Sequence, residues 1–371
     1  NTNGGTISVV NADINELVHT ISYHVYGPEK IFVSPNGQLA YYITNGTYIR
    51  KIWRIDTATN SVTNELFGGG RTIEFTPDGN KALIAMTTGW LNLIDTATDS
   101  VEFSWEFGES RPYYISLNPN GDCLYGDSYY NRNSSLRIVD INTKVTSYVG
   151  LPTPTVLSYS YHSVRGMAQE PMGRYLYVTS ASWVQNDWCP HCDWASYGFL
   201  HKFDMQTHEL LQTLPVAQNH LGEIAVTPDG RYACIVDWYY NDFFIFNLSD
   251  DSHRKVAIGE KFHNIIISPD SRYAYFIKPD SDRVAAMDLD TAEEVISIPV
   301  GNDPYQMVLS PAGTTLYVTN PGSNSVSVID MELNQVAHTI PVGAGPRPIA
   351  FIPPQNNPPK VDAGEDVAIY S

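Results

Sequence analysis

Short apolar runs of about five residues, parted by turn residues, follow one another along the whole chain. Near the C-terminus they read Met307-Val308-Leu309, Leu316-Tyr317-Val318-Thr319-Asn320, Val326-Ser327-Val328-Ile329-Asp330 and Val336-Ala337-His338-Thr339-Ile340. Runs this short and this rich in β-branched and aromatic residues predict strands. No stretch of useful length keeps a helical period. Four runs make one unit, predicted as an antiparallel meander with strands A to D, innermost to outermost.

The unit recurs. A turn phrase of proline, Asn or Asp, and glycine stands between A and B as Pro35-Asn36-Gly37, Pro77-Asp78-Gly79, Pro119-Asn120-Gly121 and Pro228-Asp229-Gly230. Worn copies are Pro171-Met172-Gly173, Pro269-Asp270-Ser271 and Pro311-Ala312-Gly313, and Pro353 is an eighth proline in register. Proline presets φ and glycine accepts a positive φ, which is turn chemistry. A spacing of about 42 residues marks a propeller blade or a solenoid unit.

Alignment on the proline exposes a period of two. Four positions before it stand Ile31, Ile73, Ile115, Met167, Ile224, Ile265, Met307 and Ile349. Two before it stand Val33, Phe75, Leu117, Gln169, Val226, Ile267, Leu309 and Phe351, with one polar exception. Strand A therefore has one buried face in every copy. Strand C ends on Asn11, Asp56, Asp95, Asp140, Asp204, Asn247, Asp288 and Asp330, side chains that cap the following turn.

Strands A, C and D each occur eight times, but complete units number seven. The extra C and D strands open the chain at Thr6–Asn11 and Leu17–Ile21, and the extra A strand is Pro348-Ile349-Ala350-Phe351. The fold class predicted is all-β, an eight-bladed propeller of four-stranded blades whose closing blade is split between the chain ends. Its B strand would lie just before Asn1, so the chain reads as trimmed there, or that blade as three-stranded. The alternative is a seven-bladed ring. The propeller is predicted over residues 1–353. Residues 354–371 read as a Pro/Asn-rich linker and the start of a further strand domain.

The net charge is −18, with only 22 Lys and Arg. Nucleic acid and anionic membranes are therefore excluded as partners. No apolar run reaches the length of a transmembrane helix. Sequons at Asn45, Asn133 and Asn247 permit glycosylation of an exported protein.

The units resemble the YVTN-type β-propeller repeat, most clearly in Leu316-Tyr317-Val318-Thr319-Asn320, Ser325–Asp330 and Ile340-Pro341-Val342-Gly343. Pro358-Pro359-Lys360-Val361-Asp362-Ala363-Gly364-Glu365-Asp366 resembles the opening of a PKD-type domain. This pairing resembles archaeal surface-layer and cell-surface proteins. It implies an extracellular, structural or adhesive module without catalysis, with other surface proteins or glycans as partners. The rival reading is an enzyme or enzyme subunit, similar to amine-dehydrogenase heavy chains or lactonases, with its site at the axial mouth.

Two candidate sites share the face of the D–A and B–C loops. Six positions before each proline, at the channel mouth, stand Glu29, Arg71, Tyr113, Arg165, Gly222, His263, Tyr305 and Arg347, with Arg111 and His220 further out. Such a set of Arg, His and Tyr suits a small anion or carboxylate. Equally, it is the polar lining that any wet channel needs, with Arg pairing to Glu29 or Glu223. The second site is an insertion in blade 4 that carries Trp183, Trp188 and Trp194, an exposed contact surface or a packed cover. Its Cys189-Pro190-His191-Cys192 is open between a disulfide, free thiols and a metal site completed by Asp193 or His201. Asp280-Ser281-Asp282 reads as a solvated turn or a calcium site. No cofactor other than such a metal is implied. Cys123 and Cys234 read as small core residues, and His19 and His338 as equivalent structural positions.

Overall fold

The computed structural model describes residues 5–22, 27–44, 50–107, 112–127, 135–152, 160–184, 195–217, 221–237 and 239–353. These form seven four-stranded antiparallel sheets and one two-stranded sheet. The sheets span 28–68, 70–106, 115–150, 160–217, 221–257, 263–299 and 306–341, and are numbered here as blades 1 to 7. Within each, strands pair in sequence order, so A and D are the edges. No helix here is long and apolar enough to cross a membrane.

Seven complete blades match the smaller of the two counts read from the sequence. The expected eighth four-stranded blade does not form. Among the described residues its C and D strands, Thr6–Asn11 and Glu16–Ser22, form a two-stranded sheet. Residues 346–353 join no ladder. Even so, this partial sheet lies between blades 7 and 1. Val9 and Ile21 pack with Ala40, Tyr42 and Ile55 of blade 1. Val10, Ala12, Ile349 and Phe351 pack on Tyr317 and Val326 of blade 7.

The core is a series of layers between blades. Leu83 and Leu93 of blade 2 meet Leu124 and Val139 of blade 3. Cys234 and Phe243 of blade 5 meet Phe276 and Ala285 of blade 6. B strands lie inside these layers and are apolar on both faces, as Leu39–Thr44 and Lys81–Met86 illustrate. Cys123 and Cys234 are buried free thiols, as expected, and burial pushes Cys123 up to about 11. His19 and His338 are exposed on outer D strands.

Each expected Asx cap is present. The side-chain oxygen of the last C residue accepts from backbone two or three positions on, from Asn11 at 2.8 Å to Asp330 at 2.9 Å. Asn247, the one sequon residue among those described, spends its oxygen in this way. Asn45 and Asn133 lie outside the described residues.

The repeated turn phrase joins blades as well as strands. Thr76 Oγ1 donates to Asp78 at 2.6 Å and Thr227 Oγ1 to Asp229 at 2.6 Å, which rigidifies each turn. At Gly121, Gly173 and Gly313 the turn glycine then lies against the proline ring of the preceding blade. A Cβ on Gly121 would stand 2.5 Å from Pro77, and one on Gly173 closer still to Pro119. Gly230 has nothing within 4 Å. Gly173 and Gly230 share a φ near +70°. Gly230→Ala should therefore cost about 1 kcal/mol from backbone strain alone. Gly173→Ala should cost about 2–4 kcal/mol, because a clash with Pro119 is added. Urea denaturation of the two variants checks this, and equal losses would refute the inter-blade contact.

Candidate functional site at the axial channel mouth

Strand A begins at the channel mouth, and its first turn of ladder is irregular. Pro28 pairs with Thr44 and Lys30 with Ile43, which leaves Glu29 as a bulge. Arg71 is skipped in the same way between Gly70 and Thr72, and Arg165 between Val164 and Gly166. A bulge re-aims the side chain it carries. Glu29, Arg71 and Arg165 are thus freed from the sheet by the same backbone device.

Members of that ring touch across blades. The Arg71 guanidinium lies 3.8 Å from the centre of the Tyr113 ring. The Arg347 guanidinium lies 4.9 Å from the Tyr305 ring, and His263 stands edge-on to the same ring at 6.0 Å. Arg71 is 8% exposed, and its Nε has no hydrogen-bond partner among the described residues. One expectation is corrected: Glu29 pairs at 3.1 Å with Arg50, which lies outside the ring. Burial lowers the pKa of His263 below the usual histidine value.

The next position inward does a separate job. Strand A is an edge strand, so N–H groups on its axial side need partners from elsewhere. The Asn264 side chain accepts from Met307 N–H of the next blade at 2.7 Å. Gln306 accepts from Ile349 N–H at 3.3 Å, and the Glu223 carboxylate accepts from Ile265 and Asn264 N–H. Asp127 accepts from Tyr113 and Tyr114 N–H at 2.6 and 2.7 Å. Gln169, the polar exception in the apolar column, donates to Ser116 Oγ at 2.7 Å and to Leu117 C=O of the blade before it.

Burial makes these carboxyls unusual. Desolvation pushes Glu74, Asp127 and Glu223 each up to about 7. Nearby Arg71 and the backbone N–H donors act against this at Asp127 without cancelling it. Lys30 is exposed yet packed round by protein, and its pKa falls through desolvation despite Glu29. Sequence reasoning missed Lys30, Glu74, Tyr114, Asp127 and Gln306, and named Glu223 only as a partner for arginine. One signal was available: five before the proline stand Lys30, Thr72, Tyr114, Glu223, Asn264 and Gln306, a polar column beside the apolar one.

Arg111 and His220 lie outside the described residues, as do Trp188, Trp194, Cys189, His191 and Cys192. Trp183 is not in a loop. It pairs with Tyr161 and Ser196 within ten-residue B and C strands, Tyr175–Val184 and Ala195–Asp204. His201 lies within the described residues, apart from the rest of the Cys189–Cys192 reading. It is fully buried, with its ring nitrogens 2.7 Å from Ser180 Oγ and 2.9 Å from Thr213 Oγ1. Asp282 accepts from Asp303 N–H at 2.8 Å, so it ties a D–A loop in place. Among the described residues no three His, Cys, Asp or Glu side chains group as metal ligands. On the same face, the B–C loop of blade 5 exposes Tyr239 and Tyr240, edge to face at 4.9 Å.

No family profile matches the chain. Among curated proteins it is similar to the uncharacterized protein YwhL of Bacillus subtilis (strain 168), 24% identical over 315 residues. That match covers 82% of this chain and 62% of YwhL, so the chain spans less than two thirds of that relative. Among solved structures it is similar to apo AztD from Citrobacter koseri, with a TM-score of 0.62 and 13% identity over 93% of this chain and 94% of that one. The dihydro-heme d1 dehydrogenase NirN matches with a TM-score of 0.63 and 13% identity, over 92% and 69% of the two chains. Kuenenia stuttgartiensis hydrazine synthase matches with a TM-score of 0.58 and 17% identity, over 82% and 95%. At such identities the likeness establishes the class of fold, a β-propeller.

Asp127 binds a proton more tightly in the folded protein than in the unfolded chain. Its contribution to stability is therefore fully present below about pH 4 and lost as the pH rises through about 7. Asp127→Asn keeps an oxygen for the two N–H donors and cannot ionise. The variant should lose less stability than the parent between pH 5 and 8, read from urea midpoints. Parallel pH profiles would show that Asp127 is not raised.

Proposed function

We propose that this chain is a non-catalytic binding propeller of an exported or cell-surface protein. Its axial mouth takes a small anionic ligand, a carboxylate by preference. The observation that carries this is the Arg71 guanidinium, buried under Tyr113 with Nε unpartnered, beside carboxyls that burial holds near neutrality. In a chain of net charge −18, Arg71, Arg165 and Arg347 supply cations at one register of the repeat. A guanidinium held rigid by an aromatic ring is a preorganised fork for a carboxylate. The exposed Tyr239–Tyr240 pair on the same face supports a contact role there, in assembly or adhesion. The YVTN-type and PKD-type resemblances and the surface location belong to this proposal.

A second reading is an enzyme or enzyme subunit using the same mouth. Its support is that propellers of this shape occur in hydrazine synthase and in dihydro-heme d1 dehydrogenase NirN. Against it, Asp127 and Glu223 at the described mouth accept from backbone N–H groups, where they serve the fold.

A thermal-shift screen of small carboxylates, followed by calorimetry, tests the binding reading. Arg71→Ala should weaken the best ligand by about tenfold or more, the scale of a charged hydrogen bond. Arg347→Ala should do so less, because Arg347 is exposed. Binding should also fade as the pH rises through about 7, when Glu74, Asp127 and Glu223 ionise and oppose the anion. A screen in which the parent and Arg71→Ala respond alike to every carboxylate would end the proposal.

A further inference from the structure

Five positions before the repeat proline, side chains of one A strand serve the backbone of the next blade. Glu223, Asn264 and Gln306 each accept an N–H there. In blade 1 this position belongs to Lys30, on the strand Pro28–Val33. An ammonium has three donors and no acceptor, so Lys30 cannot do that work.

Lys30 also lacks a counterion. Its chain neighbour Glu29 is engaged by Arg50 at 3.1 Å. Glu29, Arg50 and Arg71 all lie close enough to act on the charge of Lys30. Burial lowers its pKa by more than Glu29 raises it, the mark of an ammonium partly stripped of water and without an anion. Arg71, on the A strand Gly70–Phe75 of blade 2, is in a similar state. It is 8% exposed, lies 3.8 Å from the centre of the Tyr113 ring, and has Nε without a partner among the described residues. Glu29 offsets Arg50, which leaves Lys30 and Arg71 as two uncompensated cations on neighbouring innermost strands. Asp127, whose carboxyl feels Arg71, is pushed up to about 7 by burial and is protonated in mildly acidic solution.

We infer that Lys30 is a second anchor of the anion site and that the ligand is a short dicarboxylate, one carboxylate in the Arg71 fork and the other on the Lys30 ammonium. This rests on the reading of the mouth as a carboxylate site. The two cations belong to different blades and to different positions, six and five before their prolines, which suits two separate carboxylates better than one compact dianion. Their chemistry divides the work. Arg71, stacked on Tyr113, is a planar fork that fixes one end by geometry. Lys30 is a point charge on a flexible stem and takes the far end by charge. A monocarboxylate on Arg71 would leave Lys30 without an anion, whereas a dicarboxylate supplies both cations.

Succinate and succinamate are the probes, alike in length and different by one charge. Calorimetry at about pH 6 keeps Asp127 protonated. The parent should bind succinate about tenfold more tightly than succinamate. Lys30→Gln should close that gap, weakening succinate about tenfold and succinamate by less than about twofold. Lys30→Arg should restore the gap, and Arg71→Ala should weaken both probes. Inorganic phosphate should bind the parent more weakly than succinate does. Equal affinity of the parent for the two probes, or a gap that survives in Lys30→Gln, would overturn the inference and leave the single-carboxylate reading standing. Phosphate bound as tightly as succinate would replace the dicarboxylate with a compact dianion. Failure of the parent to bind either probe, or equal binding by the parent and Arg71→Ala, would sink the underlying reading and this inference together.

Discussion

The innermost strand of every blade has a partner on one side only, and its other edge faces the axis. That edge cannot stay unsatisfied, and no backbone is near enough to serve it. The protein meets this need with side chains of the preceding blade: Glu223 for Ile265, Asn264 for Met307, Gln306 for Ile349. Much else follows from this arrangement. The channel has to be polar, its carboxyls have to crowd into a narrow space, and desolvation then holds several of them near neutrality. The arginines one position further out are left as the effective charge at the mouth.

The second constraint is that no blade has a core of its own. Each buries its faces against its neighbours, so a ring is stable only if it closes. The Pro-Asx-Gly turns contribute directly, because turn glycines lie on the proline of the blade before, as Gly121 does on Pro77. The closing sector is where this logic is strained. Residues 6–22 and 346–352 line the space between blades 7 and 1 with apolar side chains around a cleft open to solvent.

Much of the ring at the channel mouth was legible in the sequence, since a repeat supplies its own alignment. Arg71, Tyr113, His263, Tyr305 and Arg347 stand at one register and do meet across blades. Their partners were harder to read. Arg50 reaches Glu29 from the far side of its own blade, and Asp127 lies beneath Tyr113 through a loop contact that no spacing announces. Trp183 was misread as loop because the blade-4 insertion lengthens two strands before it leaves them.

The sequence by itself determined the blade, its four strands, the turn between A and B, and the caps after C. These are local matters of period, turn chemistry and alternation, repeated often enough for the pattern to stand clear of noise. Tertiary structure decided what adjacent copies do to one another: that seven four-stranded blades form rather than eight, that bulges free Glu29, Arg71 and Arg165, that Gln169 serves a neighbour's strand, and that burial lifts Glu74, Asp127 and Glu223. Hydrogen bonds and desolvation across a ring depend on distances between residues some forty or more apart in the chain. Only closure of the ring sets those distances.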